Sequence, residues 1–525
     1  VNIHAPAFTR RRFLHALGSG ALLTALPGPL FAQETGAVTI SILHTTDLHG
    51  HILPTVDYQD RPDLGGLARC ATQIRHWREA NPNSLVLDIG DVYQGTEAGL
   101  STRGAIMVRC LDALRYDAWV VGNHEFDWGI GPFADALKLS SMPVLCGNAL
   151  AGGRPAGAID DTANPFSRLK PWLIRDVAGI RLAIVGLTTP ALTSWLPVEK
   201  LTGFEALDPV ESLRALLREV AAMRPDAIVL AGHMGLKRRD DDANRIGALT
   251  REFPQLAVCL GGHTHQNHPG ELVNKVLYTQ ADHFGIYAGK VDLTFDCATR
   301  RLLRREAVTV AMDNTIPLDP LVLSLARADL DRSSRVLSQP IGDVTEILGI
   351  DSEPGRPSDI ERLFGSAIID GLAKRGVAVD AVIHGTFDDR HPLRPGHKTV
   401  ADAWRLLPYE NEIVTIDVSL DDFQALSDDF TSGNDTCGVM APRLASQVDQ
   451  GRVVWRPAPG EGVRPTYRVA LNSYDSQSGG GRFTVAARLV AQASSHRVLH
   501  PLLVRNALID FFVSRGKMGK NSLLA

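Results

Sequence analysis

Five short polar clusters, each directly after an apolar, strand-like run, constrain this chain more than any other feature. Asp47-Leu48-His49 follows residues 38–46, Gly90-Asp91 follows 84–89, and Gly122-Asn123-His124-Glu125 follows 118–121. Gly232-His233 follows 227–231, and Gly261-Gly262-His263-Thr264-His265 follows 256–260. Strand ends of an α/β sheet converge on one edge, and ligands bind there. Two Asp, one Asn and several His delivered to that edge make a metal centre of nitrogen and oxygen donors.

Asp47 and His49 are spaced i, i+2 past a strand, so both can face one site. Gly90, just before Asp91, permits close backbone approach. Asp91 offers two carboxylate oxygens and can bridge two ions. Asn123 adds a neutral oxygen. His124 and Asp127 are spaced to form a dyad in which the carboxylate orients the imidazole and stabilises its cation. Such a cation can stabilise developing negative charge or protonate a leaving oxygen. A lone His is more often a hydrogen-bonded structural residue. Five clusters in one region outweigh that reading.

The 525 residues exceed one ordinary domain. From about 38 to about 310, strand-like and helical runs alternate (strand 84–89, helix 105–114, strand 118–121, helix 209–223, strand 227–231), which is the α/β pattern. Residues 277–295 read as further strands closing that domain. Residues 319–337, with Pro320 in the first turn and Pro340 beyond, read as a linker helix within 315–338. A second, α+β domain is expected over 341–515, with a strand at 413–418 and a helix at 486–493. The tail 516–525 is polar and expected to be loose.

Net charge is −5 with no long basic run after the N-terminus, which argues against duplex nucleic acid as a partner. Arg10-Arg11-Arg12-Phe13-Leu14 precedes a short apolar stretch and a small-residue end at Ala32. Residues 1–32 therefore read as an export signal and resemble the bacterial twin-arginine type. The stretch is too short and too rich in Gly and Pro for a stable membrane anchor. The expected destination is the periplasm, by way of the twin-arginine machinery. Cys70, Cys110, Cys146, Cys259, Cys297 and Cys437 show no paired spacing, and most read as small core residues.

Taken together, Asp47-x-His49, Gly90-Asp91-x-x-Gln94-Gly95, Gly122-Asn123-His124-Glu125, Gly232-His233 and Gly262-His263-x-His265 resemble the calcineurin-like metallophosphoesterases. More narrowly, they resemble the bacterial 5′-nucleotidase family. The resemblance implies a four-layer β-sandwich flanked by helices, joined by a linker helix to a substrate-binding domain. It implies Asp47, His49, Asp91 and His265 on one divalent ion, and Asp91, Asn123, His233 and His263 on the other. It implies hydrolysis of a small phosphate ester, expected to be a nucleotide, by a metal-activated water, with His124 and Asp127 catalytic. Imidazole with carboxylate suits Zn, Mn, Fe or Co.

The C-terminal half departs from the family where specificity is decided. His384-Gly385-Thr386-Phe387-Asp388-Asp389-Arg390 stands where the family has Asn-Gly-Gly-x-x-Arg, and Arg390 is the candidate phosphate contact. Tyr474 is the candidate base-stacking residue, and Gly481 replaces a family Asp. A second stacking aromatic is not evident near Asp435-Thr436-Cys437-Gly438. The alternative reading keeps the metal site and changes the substrate to a sugar phosphate or a sulfur ester.

Overall fold

The computed structural model describes residues 36–159, 161, 164–387, 390–431, 437–493 and 496–524. The export-signal reading of 1–32 lies outside them, as do Asp388, Asp389, Asp435 and Thr436.

Long apolar runs become strands buried on both faces, as parallel strands between helices require. A seven-stranded sheet runs in the order Leu302–Ala311, Tyr287–Asp296, Ala37–Thr45, Ser84–Asp88, Ala118–Val120, Val144–Leu145 and Leu169–Lys170. Its last five strands are parallel, and the first two form an antiparallel edge. A six-stranded sheet runs Asn267–Val273, Val276–Ala281, Val258–Gly261, Ala227–Gly232, Ile180–Leu187 and Trp172–Val177. The two sheets share a core of Ile40, Ile42, Leu87, Val120, Ile184, Val229 and Leu260. Alternate residues such as Leu43 and Val86 point outward, into a core with Ile74, Met107 and Phe133 of the flanking helices. Leu213, Leu216 and Leu249 cover the six-stranded sheet in the same way. The result is helix, sheet, sheet, helix, as the four-layer expectation has it.

The helix Pro320–Leu337 begins where Asp319 accepts from the Leu321 and Val322 N–H groups (2.8 and 3.0 Å), with Pro320 at its start. Val322 and Ala326 pack into the first core, and Val336 and Leu337 pack against the next one. The C-terminal region holds a five-stranded sheet: Cys437–Met440, Ala381–Gly385, Tyr467–Asn472, Glu412–Val418 and Val498–Leu503. Helices Asp359–Ala373 and Val504–Arg515 cover one face, and Leu420–Thr431 and Thr484–Gln492 cover the other.

The tail differs from expectation. Lys517–Met518 pairs in parallel with Pro340–Val344, and Met518 is fully buried. Met518 and Leu523 supply apolar anchors that dock an otherwise polar segment. No disulfide joins the described cysteines, and five of the six are buried.

Candidate metal centre and substrate cleft

The C-terminal ends of the parallel strands of both sheets meet at one edge, and the polar clusters meet with them. Asp47, His49 and His265 form one group whose ligand atoms lie within 4.8 Å of one another, and Asp91, His233 and His263 form another. Asp91 and His49 also group with His124. His233 Nε2 lies 3.0 Å from Asp91 Oδ2, and His49 Nε2 lies 3.8 Å from the same oxygen. Asn123 Oδ1 lies 3.2 Å from His233 Nε2 and 2.9 Å from His263 Nδ1. All seven candidate ligands therefore converge on two adjacent points, with Asp91 between them.

The donor set fits cations. His49 gives its Nδ1 proton to the Gln94 carbonyl (3.0 Å), and His233 gives its own to the Ile89 carbonyl (2.7 Å). A carbonyl only accepts, so Nδ1 carries the proton, and the neutral form of each ring would present Nε2 as a lone pair beside the carboxylates. His49 Nε2 and His265 Nε2 face each other at 3.0 Å. Two inward lone pairs beside two carboxylates are the chemistry that a divalent ion satisfies.

The backbone is bent to deliver these groups. Asp47, His49, Asp91, His263 and His265 all adopt left-handed conformations, with φ between 48° and 73°. Such conformations cost non-glycine residues about 1–3 kcal/mol each and gather at functional sites. Gly122 is required by close approach: a Cβ there would sit 2.2 Å from Asp91 Oδ1. The loops also brace one another. The His263 N–H donates to both Asp47 oxygens (3.0 and 3.1 Å), and the His124 N–H donates to Asp91 Oδ1 (2.8 Å). Glu125 accepts from the Asp91, Val92 and Gly122 N–H groups (3.1, 2.8 and 2.6 Å), tying two ligand loops together.

Electrostatics follow from burial and charge. Burial raises the Asp47 pKa, but the imidazoles of His265 and His233 outweigh it and hold the group at about 2. Burial lowers the His124 pKa, but the carboxylates of Asp127 and Asp91 outweigh it and raise it to about 10. His124 Nδ1 lies 2.8 Å from Asp127 Oδ2, so the expected dyad is formed.

A cavity of about 400 Å³ opens beside Asn123, His124 and His263. Its walls are Trp195, Lys200, Phe387, Tyr409, Tyr474 and Arg482, drawn from both halves of the chain. Tyr474 thus lines the same cavity as Asn123, His124 and His263. Arg390 lies elsewhere, on a neighbouring cavity beside His49 and His265, where it pairs with Asp60 (3.0 Å). The wall residues Trp195, Lys200, Tyr409 and Arg482 escaped the sequence reading. Tyr409 lies three residues before the strand Glu412–Val418, and that place at a strand end was the available signal. Trp195 and Lys200 sit in short 3₁₀ turns with no periodic pattern to mark them.

Residues 40–267 match the Calcineurin-like phosphoesterase family. That match takes in the region that carries all seven candidate ligands. Among curated relatives, human 5′-nucleotidase is 30% identical over 345 residues, covering 60% of this chain. The chain spans 56% of that enzyme's length. A 5′-nucleotidase precursor from Thermus thermophilus shares the fold at 24% identity, with TM-score 0.67 over 92% of this chain and 97% of its own. A putative 5′-nucleotidase from Staphylococcus aureus does so at 20% identity, with TM-score 0.74 over 90% and 96%. Among the described residues, no helix is long and apolar enough to cross a membrane.

Proposed function

We propose that this chain is an exported, two-metal phosphoesterase acting on nucleotides. The observation that carries the reading is the convergence of seven ligand-type residues on two points sharing Asp91, next to the His124–Asp127 dyad and a cavity. Asp47, His49, Asp91 and His265 would hold one ion, and Asp91, Asn123, His233 and His263 the other. Two such ions polarise phosphoryl oxygens and acidify the water that attacks phosphorus.

The protein's own groups do the rest. Asp127 holds His124 through Nδ1, and the ring lines the cavity. There it neutralises charge on a phosphoryl oxygen or gives a proton to the departing one. Tyr474, Tyr409 and Trp195 offer flat faces within the same cavity, which suits a base stacked beside its phosphate. The arginine-rich leader at Arg10-Arg11-Arg12 supports export to the periplasm.

The test is hydrolysis by the Mn²⁺-loaded protein of AMP, UDP-glucose, 2′,3′-cyclic AMP, a sugar phosphate and bis-p-nitrophenyl phosphate. Fast turnover of one of the nucleotides, with the sugar phosphate slow, is expected. Turnover of the sugar phosphate alone would reject the nucleotide reading and keep the metal site.

A further inference from the structure

The two halves of the metal centre are held by different parts of the chain. His233 is oriented by the Ile89 carbonyl, and the His263 backbone by Asp47, all within the N-terminal sandwich. His49 and His265 are oriented by Gln94 and Tyr58, and both of these are gripped from the C-terminal region.

Gln94 accepts from His49 Nδ1 through its carbonyl (3.0 Å), while its side-chain amide donates to Glu410 Oε2 (2.8 Å). The other Glu410 oxygen accepts from Arg505 Nη2 (2.6 Å). Arg505 also donates to the Leu407 carbonyl (2.9 Å) and lies 3.3 Å from the Trp404 ring centre. Gln94, Glu410 and Arg505 are all buried. A buried ion pair that holds a neutral amide fixes that amide firmly, because each partner would otherwise be left unsatisfied.

Tyr58 repeats the arrangement. Its hydroxyl lies 3.0 Å from His265 Nδ1, and its ring stacks on His283 at 4.3 Å. Arg390 donates to the Tyr58 carbonyl (2.5 Å) while paired with Asp60, and Tyr409 sets its phenol beside that of Tyr58. Neighbouring residues Tyr409 and Glu410 thus reach the two histidines of one ion site through one intermediary each.

We propose that Tyr58 and Gln94 are positioning residues through which the C-terminal region sets the affinity of the ion held by His49 and His265. The ion held by Asn123, His233 and His263 depends on the N-terminal sandwich alone. The proposal rests on the two-metal reading above. Groups that hold the second ring nitrogen of a ligating His fix its tautomer and orientation, and losing them weakens metal binding about 10- to 100-fold. Contact with the C-terminal region is therefore a condition for full occupancy of one ion site and not of the other.

The test is Mn²⁺ binding by the full-length chain, followed by equilibrium titration and by the electron-spin signal of the coupled ion pair. His265→Ala and His263→Ala mark which ion belongs to which half. Tyr58→Phe keeps the ring and removes only the hydroxyl. Gln94→Leu keeps the backbone carbonyl and removes the Glu410 contact. Each should weaken the ion that His265→Ala removes at least about tenfold, leave the other unchanged, and lower the coupled-pair signal at limiting Mn²⁺. The melting temperature of metal-free Tyr58→Phe should match that of the parent. Equal weakening of both ions, or of neither, overturns the proposal. A parent chain that takes up fewer than two ions overturns the two-metal reading itself.

Discussion

The floor of the cleft and its walls are built on different principles. The floor is short-range: each candidate ligand sits within a few residues of a buried parallel strand, on a bent backbone braced by neighbouring N–H groups. The walls are long-range. Trp195 comes from a turn after Ile180–Leu187, Phe387 follows Ala381–Gly385, and Tyr409 and Tyr474 flank separate strands of the C-terminal sheet. Ion pairs hold these walls against the sandwich, with Lys200 Nζ 3.0 Å from Glu412 and Arg497 paired with Glu199. A rigid floor suits a reaction common to many esters. A wall assembled from loops can change without disturbing it. On the proposed function, chemistry and specificity would then reside in separable parts of this molecule.

The largest effect should come from the floor. Asp91→Asn removes the shared carboxylate charge, so turnover should fall by more than about 100-fold, beyond what losing a merely supporting residue costs. The loss should be equal for AMP and bis-p-nitrophenyl phosphate. Unequal loss would break the division between floor and wall.

Next comes an acid effect to which the wall's foundation contributes. His384 is buried against Phe364, and burial lowers its pKa to about 4. Above pH 6.5 the ring is neutral folded and unfolded, and it contributes nothing to the pH dependence. Between 6.5 and 4 only the unfolded chain takes the proton, so stability falls as pH falls, by about 2–3 kcal/mol at pH 4.5. Urea midpoints at pH 7.5 and 4.5 should show this loss in the parent and a smaller one in His384→Leu. Equal losses would refute it.

The smallest effect should be selective. Tyr474→Ala removes one stacking face, worth about 1–3 kcal/mol per base. It should raise KM for the nucleotide about tenfold with kcat nearly kept, and leave bis-p-nitrophenyl phosphate unaffected. A matching loss on both substrates would merge wall with floor.

The same division governs what could be read from the sequence. The sandwich strands were legible because burial on both faces writes continuous apolar runs, and Pro320 in the first turn with Pro340 beyond announced the linker helix. Asp47-x-His49 and His263-x-His265 were legible because two donors sit on one loop at a strand end. Trp195, Lys200 and Arg482 were not, because nothing local distinguishes them from other loop residues; only tertiary closure puts them in one cavity. Arg390 was read as a phosphate contact from its motif alone, while its position beside Asp60 depends on how the two halves dock. The tail was misjudged for a related reason: Met518 and Leu523 are too sparse to show a period, yet they find a groove on Pro340–Val344 and its core.

The strand ends of one sandwich are expected to hold two ions bridged by Asp91. Anomalous diffraction at the manganese edge, from crystals grown with Mn²⁺, tests it most directly. Two peaks are expected about 3.5–4 Å apart, one beside Asp47, His49 and His265, the other beside Asn123, His233 and His263, with Asp91 contacting both. A single peak, or two peaks away from Asp91, would contradict it.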